Sequence, residues 1–281
     1  MNLMKLLLFK ILPLKLISRL AGKLTNASLP SGILRRILKW YIKMYSVNTD
    51  EMEKGLDEYT TINDFFIRYL KPGSRKIHSG KNSLVSPVDG RILNFGSLDE
   101  GKIIQAKGMG STLDELIDMP GYRKRFQGGS YAIIYLSPKD YHRIHSPLSG
   151  DIVALSYLPG KLFPVNTFAV NNIDRLFSIN ERVVTYIESD KKLCGVIKVG
   201  ATNVGSIKLS YYDNFRTNAK KQPAESQVFK KKIPIKKGEE MARFELGSTV
   251  ILLLEKGFSE FTGLKEFSPV LYGEKIGVLK Y

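Results

Sequence analysis

Histidine is scarce in this 281-residue chain, occurring only at His78, His142 and His145. His78 lies in the polar stretch SRKIHSGKN, where a solvated imidazole is expected, whereas His142 and His145 stand three apart in SPKDYHRIHSPLSG. Imidazole titrates near neutral pH, so the pair invites acid–base chemistry. If Ser137 caps a short helical turn, with Pro138 first and Asp140 in the first turn, the two rings share a face. If the segment is extended, they point to opposite faces. An HxxH pair needs further ligands to hold a metal, and no CxxC, HExxH or carboxylate cluster supplies them, so no metal is expected. Histidines that merely cap a turn are the plainer alternative.

A second candidate is a hydroxyl. In FELGSTVILLLE (244–255), the apolar run Val250–Leu254 suits a buried strand, yet Gly247, Ser248 and Thr249 open it. Turn chemistry explains such a string, because Gly permits the bend and Ser or Thr bonds its own backbone. A serine becomes nucleophilic when a histidine takes its proton and a carboxylate orients that histidine. Asp89 in SPVDGRI is the candidate carboxylate, giving the order Asp89, His145, Ser248. An ordinary turn role is the alternative for Asp89. Ser248 lies outside any G-x-S-x-G elbow, which disfavours an α/β-hydrolase.

The elements that must position these residues are mostly strands. From about residue 84, short β runs broken by Gly and Pro follow one another: RILNFGSL, KIIQAKG, YAIIYLS, DIVALSYL, RVVTYIES, CGVIKVG, SIKLSYY, STVILLLE and GEKIGVLKY. Helix is expected after an N-cap at Thr61, ending at Pro72-Gly73, and in STLDELIDM behind Ser111 or Thr112. The fold class is therefore α+β, a β-rich catalytic domain with barrel- or sandwich-like β units and an N-terminal amphipathic helical arm. SPVDGRI (86–92) and SPLSGDI (146–152) echo each other, each a Pro-x-x-Gly turn feeding a strand, with Asp89 of the first matching Ser149 of the second. Two related β units packed together are the expectation.

Charge narrows the partners. Lys and Arg number 43 against 27 acids, a net +16 that implies nucleic acid, an acidic lipid surface or a charged substrate. The first 49 residues hold nine of those cations and no acid, interleaved with apolar residues as in MNLMKLLLFKILPLKLISRLAGKL. No apolar stretch is long enough to span a bilayer, and the recurring charges disfavour a cleavable signal peptide. Packing on the protein's own core or lying in a membrane interface both remain, and the interface is favoured. Trp40 and Tyr41 suit a headgroup-level belt or a core. Residues 1–60 are expected to form this membrane-associating region and 61–281 the catalytic domain. The basic stretch 219–238 is expected to be a solvated loop rather than a nucleic-acid surface. Cys194 stands alone, so no disulfide framework exists; a small core residue is expected there.

LGST before an apolar strand, YHRIH followed by SPLSG, and the upstream SPVDGRI together resemble the pyruvoyl-dependent, prokaryotic-type phosphatidylserine decarboxylase proenzyme family. FPVN (163–166), LFSINERVV (176–184), VGATNVGSI (199–207) and KGEEMARFELGST (237–249) extend the likeness over roughly residues 60–281. The resemblance implies that His145, oriented by Asp89, deprotonates Ser248, which attacks the Gly247 carbonyl. Chain cleavage at 247/248 would leave a pyruvoyl group, derived from Ser248, as covalent cofactor. His142 is then the candidate acid for the substrate carbon. Implied partners are phosphatidylserine in anionic membranes and the cleaved chains 1–247 and 248–281 as a heterodimer, with homo-oligomerisation left open and no nucleic acid. The implied location is peripheral, on the cytoplasmic face of a bacterial-type plasma membrane. A membrane-bound serine hydrolase that retains Ser248 is one alternative. A non-enzymatic, lipoyl-like lipid-binding module is another, although neither turn carries a lysine at its tip.

Overall fold

The computed structural model describes residues 12–106, 108–202, 206–213, 215–218, 223–245 and 248–280, the side chains of Ala106 and Ser248 excepted. Lys5 and Lys10 of the basic arm, and Gly247, lie outside the described residues. The described arm forms helices α1 (Leu14–Thr25) and α2 (Ser31–Tyr45), and Ser46 closes α2 with a left-handed backbone (φ 55°). Helix α3 (Ile62–Phe66) starts at Thr61, whose hydroxyl accepts the Asp64 N–H at 2.9 Å, as the sequence leads one to expect, but it ends at Phe66, short of the expected Pro72-Gly73. Leu34, Leu38, Val47, Met52, Tyr59 and Phe65 join α2 and α3 in a small core of their own.

The strands follow as β1 (Ser83–Val85), β2 (Gly90–Ser97), β3 (Lys102–Ala106) and β4 (Met109–Thr112), then helices α4 (Leu113–Leu116) and α5 (Pro120–Phe126). Thr112 caps α4 in a capping box with Glu115. Next come β5 (Ser130–Leu136), β6 (Arg143–His145), β7 (Gly150–Leu158), α6 (Thr167–Val170), α7 (Leu176–Ile179), β8 (Arg182–Ser189), β9 (Lys192–Val199) and β10 (Ile207–Leu209). The chain ends with β11 (Glu225–Ile235), β12 (Glu240–Phe244), β13 (Ser248–Leu254), β14 (Ser259–Phe261), β15 (Pro269–Val270) and β16 (Lys275–Leu279).

Among the described residues the main layer is an eight-stranded antiparallel sheet ordered β11-β7-β8-β9-β13-β5-β2-β15. Its two end strands do not pair with each other, so the sheet is open and the barrel-like closure expected from the β pattern does not occur. β13 lies inside it, with Ile251 opposite Ile133 of β5 and Ile197 of β9. Val250 to Leu254 are wholly buried. Each such side chain stabilises by about 1.5–3 kcal/mol, which makes β13 a rigid support for whatever stands at its head. Cys194 is buried in the same sheet, its thiol pushed up to about 12 by desolvation, as suits a core residue.

The basic stretch read as a loop is corrected in part. Residues 225–235 form β11, the edge of the large sheet, paired with β7 through a bulge between Val228 and Ile233. Lysines and Pro234 on an edge strand discourage further pairing, so the composition that suggests a loop also fits an edge.

Candidate active site

The echo between SPVDGRI and SPLSGDI is a structural repeat. Ser86 Oγ donates to the Val88 carbonyl and Ser146 Oγ to the Leu148 carbonyl, each at 2.7 Å. The copies bond each other reciprocally: the Val85 N–H donates to Pro147 O at 3.0 Å, and the His145 N–H to Pro87 O at 2.8 Å. Each copy also grips a Gly-Glu turn. The Gly273 N–H donates to Ser86 O and the Gly238 N–H to Ser146 O, and both glycines have positive φ (86° and 80°). A Cβ at either would collide with Ile77, which sits against both turns.

Asp89 and Ser149 occupy matching places in this arrangement. Ser149 Oγ accepts the Lys237 N–H at 3.0 Å, and Asp89 Oδ1 accepts the Tyr272 N–H at 2.8 Å. Asp89 is therefore a turn-binding residue and something more. Its carboxylate also takes Arg75 side-on, from Nη2 at 2.5 Å and Nε at 3.1 Å, and Arg75 in turn grips Glu51 at 2.8 Å. Removing one partner of so buried an ion pair costs about 3–5 kcal/mol.

His145 ends β6, opposite Glu240 of β12. Its Nδ1 lies 2.8 Å from Gly238 O, and because a carbonyl only accepts, Nδ1 carries the proton. Nε2 is then the basic nitrogen, and the Tyr141 hydroxyl donates to it at 3.2 Å. Burial pushes the Tyr141 phenol up, so it keeps that proton. The Tyr272 ring lies flat on the imidazole, centroids 4.0 Å apart and planes 9° from parallel. Burial lowers the pKa of His145 from its ordinary 6.5, against the opposing pull of the Gly238 carbonyl and the carboxylates of Glu240 and Asp89. A neutral imidazole with Nε2 free of a proton is the form a general base needs.

Asp89 does not hydrogen-bond His145 among the described residues. Instead of a direct bond, the contact between Asp89 and the imidazole runs through Tyr272. Asp89 fixes Tyr272, Tyr272 stacks on the ring, and Gly238 sets the tautomer.

Of the two conformations the sequence leaves open, the extended one is found, so His142 and His145 do not share a helical face. The Asp140 carboxylate accepts both the N–H and the hydroxyl of Ser137 at 2.7 Å, closing a turn instead of starting a helix. Residues 143–145 then extend to pair with β12. His142 is wholly buried against Phe66, centroids 4.0 Å apart. Its Nδ1–H donates to Asp140 O at 2.7 Å, and Nε2 is buried with no partner among the described residues. Desolvation first, and the Arg68 cation second, push its pKa down to about 3.

The serine stands where two anchored strands meet. Phe244 of β12 donates its N–H to His142 O at 3.0 Å, and the Glu245 carboxylate accepts from Ser206 Oγ at 2.7 Å and from Arg216. Three residues later Ser248 opens β13 opposite Leu136 in the eight-stranded sheet, whereas β12 lies between β10 and β6 in a three-stranded one. Glu245 and the Ser248 backbone are thus each held by partners of their own. Gly247 and the Ser248 side chain lie outside the described residues.

A protein named phosphatidylserine decarboxylase proenzyme from Myxococcus xanthus (strain DK1622) is 42% identical over 273 residues, 97% of each chain. The family model for phosphatidylserine decarboxylase matches residues 62–278. The chain belongs to the phosphatidylserine decarboxylase family. Proteins of the same printed name from Brevibacillus brevis and Hahella chejuensis are also 42% identical, over 96% and 94% of this chain and 95% and 90% of theirs.

The phosphatidylserine decarboxylase proenzyme family is pyruvoyl-dependent, and the surroundings of Ser248 fit such a group. Among the described residues, Thr249 Oγ1, on the residue after Ser248, and His142 Nε2, on the residue whose carbonyl accepts from Phe244, are buried without a partner. Unsatisfied groups of this kind suit a polar, covalently made ligand. Arg75, Tyr141, Gly238 and Tyr272 were not singled out by sequence reasoning. The Gly-Glu turns in KKGEE and LYGEK could have signalled Gly238 and Tyr272, since they repeat within the larger echo.

Proposed function

We propose that this chain is a phosphatidylserine decarboxylase proenzyme that cleaves itself between Gly247 and Ser248 and then converts phosphatidylserine to phosphatidylethanolamine. The observation that carries this reading is family membership over nearly the whole chain, with Ser248 at the head of a buried strand. His145 Nε2 takes the Ser248 proton, and the serine oxygen attacks the Gly247 carbonyl carbon. The Gly247–Ser248 amide bond breaks to an ester, whose elimination and hydrolysis release ammonia and leave a ketone on the 248–281 fragment. Asp89 acts through Tyr272 by holding the stacked ring in place. The pyruvoyl ketone supplies an electron sink for carboxylate loss. His142 holds no proton on Nε2 at neutral pH. To act as the acid for the substrate carbon it must first take up a proton on Nε2.

The arm supports action at a membrane. Leu16, Leu20 and Leu24 form an exposed stripe on α1, with Lys15, Arg19 and Lys23 one step around the helix. On α2, Ile33, Trp40 and Met44 are exposed, Trp40 by 60%, while Tyr41 turns inward and donates to Pro138 O. Among the described residues no helix is long and apolar enough to cross a membrane. An interfacial arm fits this pattern, each cation near an anionic leaflet contributing about 1 kcal/mol.

Both parts are tested on vesicles containing phosphatidylserine. The full chain is expected to release carbon dioxide and phosphatidylethanolamine in equal amounts. A chain trimmed of residues 1–24 should lose vesicle co-sedimentation while still decarboxylating a soluble short-chain substrate. Release of fatty acid or free headgroup would instead mark a serine hydrolase, and unchanged vesicle binding would remove the arm from the account.

A further inference from the structure

A cation beside the site has no place in the chemistry derived so far. A cavity of about 210 Å³ opens next to Asp89 and Tyr141, and Glu51, Arg68, Arg75 and Lys139 also line it. Arg75 is already held by Asp89 and Glu51. Asp140, on the same wall, turns its carboxylate onto Ser137. Arg68 pairs with no carboxylate among the described residues, although it is only 4% exposed. Its Nη2 donates to the carbonyls of Lys139 (2.8 Å) and Asp140 (3.4 Å), while Nε and Nη1 are buried and have no acceptor among the described residues. Phe65 lies under the guanidinium at 5.5 Å. Desolvation lowers the pKa of Arg68, against the opposing pull of Tyr41, Tyr59, Asp89 and Asp140.

Native proteins rarely leave buried charged donors unbonded, and a guanidinium with unbonded N–H groups suits the oxygens of a phosphate or carboxylate. The substrate carboxylate must depart as neutral carbon dioxide, and a cation clamped on it would stabilise the ground state against that loss. A phosphodiester keeps its charge throughout the reaction. We propose that Arg68, with Lys139 at the rim, binds the phosphodiester of the lipid headgroup, an inference that rests on the decarboxylase reading above. The Arg68 contacts run to the loop that leads into His142, and the cavity is shared with Tyr141, which touches His145. A phosphate seated there presents the serine end of the headgroup to the histidine wall.

Binding that is equal in ground and transition states changes KM and leaves kcat alone. On the mature enzyme, Arg68→Gln is expected to raise KM for short-chain phosphatidylserine about 10- to 100-fold, the worth of charge-assisted bonds, with kcat changed less than about threefold. Arg68→Lys should recover part of the loss. The probe sn-glycero-3-phosphoglycerol, a phosphodiester without amine or carboxylate, should inhibit the wild type competitively and R68Q not at all. Inorganic phosphate at the same concentration should not inhibit. If R68Q fails to mature, exposed Lys139→Glu decides, with a KM raised about threefold or more expected from loss and reversal of one charge. An unchanged KM in the deciding variant overturns the proposal, as does inhibition by inorganic phosphate equal to that by the diester. If wild-type protein releases no carbon dioxide, the decarboxylase reading fails; carbon dioxide release with an unaltered KM removes only the phosphodiester site.

Discussion

Ser248→Ala is expected to yield a single uncleaved 31.7 kDa chain that releases no carbon dioxide from phosphatidylserine. The substitution removes one oxygen at the first residue of β13, a strand held by ladders to β5 and β9 and by five wholly buried apolar side chains. The fold therefore survives, with a melting temperature near that of the parent. Without the hydroxyl there is no nucleophile for the Gly247 carbonyl and no atom from which the ketone is made. Both cleavage and activity vanish together, unlike in a hydrolase that merely retains its serine. Gel mobility and carbon dioxide release on the same preparation check the result. A chain that still splits and decarboxylates would require another nucleophile.

His145→Ala is expected to slow self-cleavage by about 10²–10⁴-fold, the usual contribution of a general base. Asp89→Asn should slow it much less, provided the protein folds. The Gly238 carbonyl, not Asp89, sets the His145 tautomer, and an asparagine oxygen can still accept the Tyr272 N–H. The larger cost of D89N falls on stability, because Arg75 loses its buried counter-charge. Cleavage half-times and melting temperatures separate the two variants. Equal slowing by both, with equal stability, would mean that Asp89 acts on the imidazole directly.

The same geometry sets the pH profile of cleavage. Burial lowers the His145 pKa below 6.5, so the base form persists at pH values where an ordinary histidine is half protonated. The acid limb of the cleavage rate should therefore have its midpoint below 6.5. A midpoint at or above that value would contradict the assigned environment.

Much of this organisation is legible in the residues themselves. The run 250–254 is too apolar for anything but an interior strand, and the hydroxyls of Thr61 and Thr112 mark helix starts that the structure contains. The repeat of SPxxG, with Asp89 opposite Ser149, is legible because turn chemistry is local. What escapes is decided by non-local partners. Whether His142 and His145 share a face depends on pairing with β12, nearly a hundred residues away. Arg75 and Tyr272 reach the site through bonds to Asp89 that no local pattern announces. Lysine-rich β11 reads as a loop because an edge strand and a solvated loop show the same polar face to water.

Intact-mass spectrometry of purified, active protein under denaturing conditions tests the central claim most directly. The account requires two polypeptides, residues 1–247 and a 34-residue piece, 248–281, that begins with a ketone. Their summed mass should differ from that of the precursor by one water gained and one ammonia lost. A single unbroken, fully active chain with an unmodified serine at 248 would contradict it.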